Sequence, residues 1–152
     1  MITYSHKILK YGLVFYDQEP DYKEKIDILR KDQCSKHHLF SSKYTTLHIN
    51  LKANENSIFD AFEKNTKYEI NRAAAKDGIT VKEWSFPEQR EEFYTLYNSF
   101  ADQKGILHIG ETETNLLINA GQFIGRAAYS PDGELLVIHT YITVNKRARL
   151  AH

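Results

Sequence analysis

Cysteine, methionine and tryptophan occur once each in this chain, proline three times, and neither sign of charge is in excess. The lone Cys34 excludes a disulfide within the chain and leaves no thiolate cluster for zinc, which suits a reducing compartment. Lys plus Arg and Asp plus Glu both number 20, so no whole-chain field draws the protein toward nucleic acid or anionic lipid. No apolar run approaches the length of a membrane span, and Met1 to Lys10 alternates polar and basic residues without the apolar core of a signal peptide. The expectation is a cytoplasmic protein with no membrane span. Repeats, low-complexity tracts and domain linkers are also missing, so 1–152 reads as a single domain.

What is present is ordinary globular text, 41% hydrophobic and 26% charged, with ten tyrosines and eight phenylalanines. Lys10 to Asp17 gathers Tyr11, Leu13, Val14, Phe15 and Tyr16 into a short strand, stopped by Glu19-Pro20-Asp21. Tyr22 to Ser42 is charged and weakly patterned; Ile26, Ile28 and Leu29 fit a short helix or an irregular connection equally well, and 1–43 carries little other pattern. Tyr44 to Leu51 alternates Leu47, Ile49 and Leu51 with Thr46, His48 and Asn50, the period of a half-buried strand. Asn54 or Asn56 then caps a helical stretch with Ile58, Phe59, Phe62, Tyr68 and Ile70, broken at Asn65-Thr66 and stopped by Gly78. Ile79 to Trp84 reads as a strand. Pro87 opens a helix with Phe93, Leu96, Tyr97 and Phe100 on one face and Gly105 at its end, and Glu111 to Ala120 forms another, closed by Gly121. Phe123 to Tyr129 and Leu135 to Val144 make a hairpin around Ser130-Pro131-Asp132-Gly133, and Asn145 to His152 opens a further strand. This order predicts an α+β fold with a mixed, mainly antiparallel sheet flanked by helices.

Few residues announce chemistry on their own. Cys34, His37-His38 and His48 come nearest to a metal cluster, but their spacing matches no structural zinc pattern, so they read as a solvated loop and no metal is expected. Glu134 beside Gly133 reads as hairpin-turn polarity. Lys64, Lys67, Arg72 and Lys76 line one helix, where Glu63 and Glu69 offset them, and Lys146, Arg147 and Arg149 lie near the C-terminus. Arg147 and Arg149 alternate on a strand and so point the same way.

Three stretches carry a resemblance. Thr46 to Leu51 leads into a helix with Lys64-Asn65-Thr66-Lys67-Tyr68-Glu69-Ile70-Asn71-Arg72-Ala73, followed by Lys76-Asp77-Gly78-Ile79. Phe93-Tyr94 and Leu96-Tyr97 precede Lys104-Gly105-Ile106. Gly133-Glu134, His139 to Thr143 and Arg147 to His152 come last. This text resembles the FemAB-type aminoacyl and peptidoglycan-bridge transferases and their relatives of the acetyltransferase-like GNAT fold. The likeness runs over roughly Tyr44 to His152 and is most specific over Asn65 to Ile79. Lys67 and Asn71 depart from the family, which more often carries arginine there; Arg72 keeps a positive charge in a shifted place.

The resemblance implies a GNAT-like domain and transfer of an acyl or aminoacyl group to an amine. The donor would be an acyl-CoA or an aminoacyl-tRNA, and the acceptor a small molecule or a cell-wall precursor. It implies, too, a donor pyrophosphate held on a Gly-rich turn at a helix N-terminus beyond the central hairpin. Only Asn145 to His152 follow Val144, so the chain is expected to lack the C-terminal portion of that fold and any evident donor cradle. His139, Tyr141 and Thr143 share one face of the central strand, where His139 and Tyr141 are the catalytic candidates, as base and orienting group; on the plainer reading these side chains point inward and pack, with His139 hydrogen-bonded. Arg72, Arg147 and Arg149 are the candidates for contact with substrate or phosphate. The competing expectation is a non-catalytic half-domain acting through self-association or a protein partner, since a strand from Tyr141 to Leu150 without a neighbour would offer an open edge for a homo-oligomer. Nucleic acid is expected only as a tRNA-linked donor.

Overall fold

In the computed structural model, which describes residues 1–16, 18–20, 23, 25–35, 41–42 and 49–151, the chain begins with a hairpin. Strands β1 (Ile2–His6) and β2 (Leu9–Phe15) pair antiparallel across a turn where Lys7 takes a left-handed φ of 54°. Tyr4 lies opposite Tyr11 and the two rings stack at 5.2 Å, a cross-strand pair that holds the register. β3 (Ile28–Asp32) adds parallel to β2, from Tyr11 opposite Ile28 to Phe15 opposite Asp32. Both outer strands go beyond the sequence reading. Met1 to Lys10 reads only as alternating polar and basic residues without an apolar core, and Ile28–Asp32 is neither the helix nor the irregular connection expected there.

Most of the strand expected over Tyr44 to Leu51 lies outside the described residues. Ile49 and Asn50 belong to no strand, and the Asn50 side chain accepts the Lys52 N–H at 3.1 Å in a local turn that replaces ladder pairing. Helix α1 (Glu55–Asp60) starts at Asn54, whose Oδ1 accepts the Ser57 N–H at 2.8 Å. α2 (Lys64–Ala75) follows with Glu63 as its N-cap, so the break falls before Asn65-Thr66 rather than at it. Neither helix has a buried residue. Past Gly78, at φ 65°, the chain enters β4 (Thr80–Trp84).

The remaining elements match the expected order. α3 (Phe86–Lys104) carries Pro87 in its first turn and ends at Gly105, at φ 64°, whose N–H returns to Ala101 and Asp102. After α4 (Glu111–Asn119) come β5 (Phe123–Tyr129), β6 (Leu135–Val144) and β7 (Arg147–Leu150), which complete an antiparallel sheet in the order β4-β5-β6-β7. Asn145 and Lys146, at φ 50° and 61°, make the tight turn that folds β7 back onto β6. That turn divides the stretch from Tyr141 to Leu150 between two strands, so the open edge expected there falls on β7 alone. Tyr141 to Val144 pairs with β7 on one side, Tyr141 and Ile142 also pair with β5 on the other, and among the described residues the end of the sheet is β7.

One face of this sheet is buried. Phe123 and Ala127 of β5 and Thr140, Ile142 and Val144 of β6 point inward, with Phe86 and Phe93 of α3 and Leu117 of α4 in the same core. The Phe93 ring centroid is 5.2 Å from that of Phe86 and 6.0 Å from that of Phe123. At Gly125 a Cβ would stand 2.9 Å from both the Phe86 ring and the Trp84 Cβ, so the close approach of α3 needs glycine there. Leu13, Phe15 and Tyr16 bring the N-terminal sheet into the same core, and Arg30 of β3 pairs with Glu113 of α4 at 3.2 Å. Among the described residues the fold is therefore α+β, with two sheets and four helices. No helix among them is long and apolar enough to cross a membrane.

Candidate functional site

The strand register sets Glu83, Arg126 and His139 side by side across β4, β5 and β6. Arg126 Nη1 reaches Glu83 at 3.2 Å and donates to the Gly125 carbonyl at 3.0 Å, and on the other side of β5 the register sets the exposed His139 opposite Arg126. The next row on this face joins Ile124, Tyr141 and Leu150. His139 and Tyr141 thus share a face, as the period of two requires, and it is the face turned away from α3 and α4. The reading in which they point inward and pack is corrected, because Thr140, Ile142 and Val144 take the inward positions. Among the described residues no side chain hydrogen-bonds His139. An imidazole open to solvent can take a proton from an attacking amine, and a guanidinium on the same sheet face favours a carbonyl oxygen that gains negative charge.

Arg147 and Arg149 stand on the other face. They lie opposite Val144 and Ile142, at the margin of the core, with guanidinium carbons 5.2 Å from the centroid of the Tyr16 ring and 5.6 Å from that of Phe15, respectively. Asp32 is 2.9 Å from Arg30 and 3.7 Å from Arg149. Burial disfavours the Arg30 charge, but Asp32 and Glu113 outweigh it and hold Arg30 above its usual range. Burial likewise raises the Tyr16 phenol, against a lowering pull from Arg149 and Arg147. Arg72 joins neither group: it pairs with Asp77 at 3.2 Å near the end of α2. The Glu134 backbone closes the hairpin turn against Ser130, in line with its expected part there.

A surface groove of ≈ 520 Å³ runs along Gly78, Thr80, Lys82, Tyr129, Ser130, Pro131 and Gly133, with Lys82 Nζ 5.4 Å from the Tyr129 ring centroid. His37, His38 and His48 lie outside the described residues, and among those described no group of three or more His, Cys, Asp or Glu could hold a metal ion. Sequence reasoning missed Glu83 and Arg126, although Arg126 follows the same period-two logic once β5 and β6 are paired about Asp132-Gly133. It missed Tyr16 and Asp32 for a different reason, since nothing local signals that the two chain halves meet there. No family model matches the chain, and no curated protein matches it.

Proposed function

We propose that this chain is a GNAT-like, FemAB-type acyltransferase or aminoacyltransferase domain, or the N-terminal and central portion of one, that transfers an acyl group to an amine acceptor. The observation that supports it is the exposed row on the outer sheet face, where His139 lies opposite Arg126 and two residues from Tyr141. In this reading His139 accepts the amine proton, Tyr141 orients the acceptor, and Arg126, fixed by Glu83, faces the oxygen of the activated carbonyl. An acyl-CoA or an aminoacyl-tRNA supplies the acyl group, and a small amine or cell-wall precursor receives it.

A second reading has its own observation. The same face exposes Val81 at 66%, Val137 at 44% and Leu150 at 60%, and α2 exposes Tyr68 at 61%. A second copy of the chain seated on that face would make it a self-associating, non-catalytic module. A thermal-shift titration with acetyl-CoA, run with the solution mass at two concentrations, separates the readings. A saturable rise supports a transferase that uses CoA esters. No rise, together with a mass that grows with concentration, removes that donor and supports the module.

A further inference from the structure

The backbone takes an unusual course where β2 and β3 end. Tyr16 and Gln33 follow the paired positions Phe15 and Asp32, and both adopt a φ of 57°, a region that side-chain-bearing residues avoid unless their surroundings impose it. The left-handed step interrupts the strand alternation, so two consecutive rings meet the guanidiniums of β7: Phe15 under Arg149, Tyr16 under Arg147. Tyr16 is 6% exposed, and its hydroxyl has no hydrogen-bond partner among the described residues. Arg149 Nε is buried in the same state, and its contact with Asp32 is long, at 3.7 Å, because Asp32 is engaged at 2.9 Å by Arg30. Arg147 has no ion pair with a described carboxylate. Among the described residues, three guanidiniums, of Arg30, Arg147 and Arg149, therefore meet two carboxylates, of Asp32 and Glu113, and one positive charge is left over. Both β7 arginines lie close enough to Tyr16 to act on its phenol through space.

We propose that this seam is a phosphoryl-binding site, in which Arg147, Arg149 and the Tyr16 hydroxyl donate to the oxygens of one phosphate group. Guanidinium forks match phosphate oxygens, and the aromatic rings beneath hold both forks in place before the ligand arrives. Donors from three side chains on two elements suit a tetrahedral group better than a planar carboxylate. Arg147 is exposed, so the ligand enters from its side. The site lies on the opposite face of the sheet from His139 and does not rest on the acyl-transfer reading.

The test uses the whole chain with inorganic phosphate, phenyl phosphate and acetate, each at the same ionic strength in a chloride background. The expected result is a saturable rise in Tm and broadening of the ³¹P signal with either phosphate compound, the tighter of the two telling a free ion from an ester. Arg147→Gln should weaken binding roughly tenfold, and Tyr16→Phe, which keeps the ring, roughly threefold or more. Both variants should keep the parent Tm in chloride alone to within a few degrees. No saturable response in the parent chain, an equal response to acetate, or unchanged affinity in either variant overturns the proposal. Activity with any acyl donor has no bearing on it.

Discussion

Trp84 and Thr140 flank Gly125 in one row across β4, β5 and β6, and each buries a polar atom, Nε1 and Oγ1, that no described group satisfies. Thr140 is 0% exposed. A buried hydroxyl without a partner keeps its desolvation cost and gains nothing in return, so Thr140→Val should stabilise the protein by about 1 kcal/mol. Urea denaturation measures it, and a variant less stable than the parent would show that the hydroxyl is satisfied.

Between those two residues, Gly125→Ala should have the opposite sign. Its new Cβ would stand 2.9 Å from both the Phe86 ring and the Trp84 Cβ, and overpacking of that kind costs about 1–3 kcal/mol. Equal urea midpoints for variant and parent would mean that α3 moves aside freely.

The hairpin of β5 and β6 and the helix α3 were legible because their signals are local. Asp132-Gly133 dictates a reversal, and Phe93, Tyr97 and Phe100 repeat at helical spacing whatever surrounds them. β3 was not legible. Its residues Arg30, Lys31 and Asp32 are charged, and the strand exists because β2 offers it parallel pairing and Glu113 meets Arg30. The same limit applies to the site. Period two shows that His139 and Tyr141 share a face, but which face is buried depends on where α3 and α4 settle, a tertiary outcome with no local mark.

Asp32 serves two arginines, at 2.9 Å and 3.7 Å, from a position 17% exposed. Asp32→Asn should destabilise the protein by about 1 kcal/mol, with Arg30 itself half-exposed and screened. Raising the salt concentration should shrink the difference. A difference that persists undiminished in high salt would point to lost hydrogen bonding rather than charge.

Burial raises the phenols of Tyr16 and Tyr94; Arg149 and Arg147 pull the first down, and Arg90 the second. Unfolded, each phenol releases its proton near pH 10. Above that value the unfolded chain binds fewer protons than the folded one, so stability is complete below about pH 10 and is lost as pH climbs toward the folded values. The Tyr94 hydroxyl also donates to Asn115 at 2.9 Å, which favours its neutral form. Urea midpoints measured from about pH 8 to about pH 11 should fall for the parent and fall less for Tyr94→Phe. Parallel curves would contradict the shift.

For the transferase reading, His139→Gln is the informative change. The side chain is exposed and paired with no described group, so thermal stability should hold within about 0.5 kcal/mol. Acyl transfer to an amine should drop by about 10²-fold or more, the usual loss of a general base. A variant that transfers at the parent rate would remove His139 from the chemistry.

The seam between β7 and the end of β2 also sets an order of events during synthesis. Phe15 and Tyr16 leave the ribosome well before Arg147 and Arg149, which cap them, are made. The hairpins of β5, β6 and β7 close over short loops, whereas joining the sheet of β1, β2 and β3 to β7 closes a far longer loop and is entropically slow. A nascent chain therefore carries two uncovered aromatic rings until β7 has been made, and the hairpin of β1 and β2 is sealed only after the sheet that covers it.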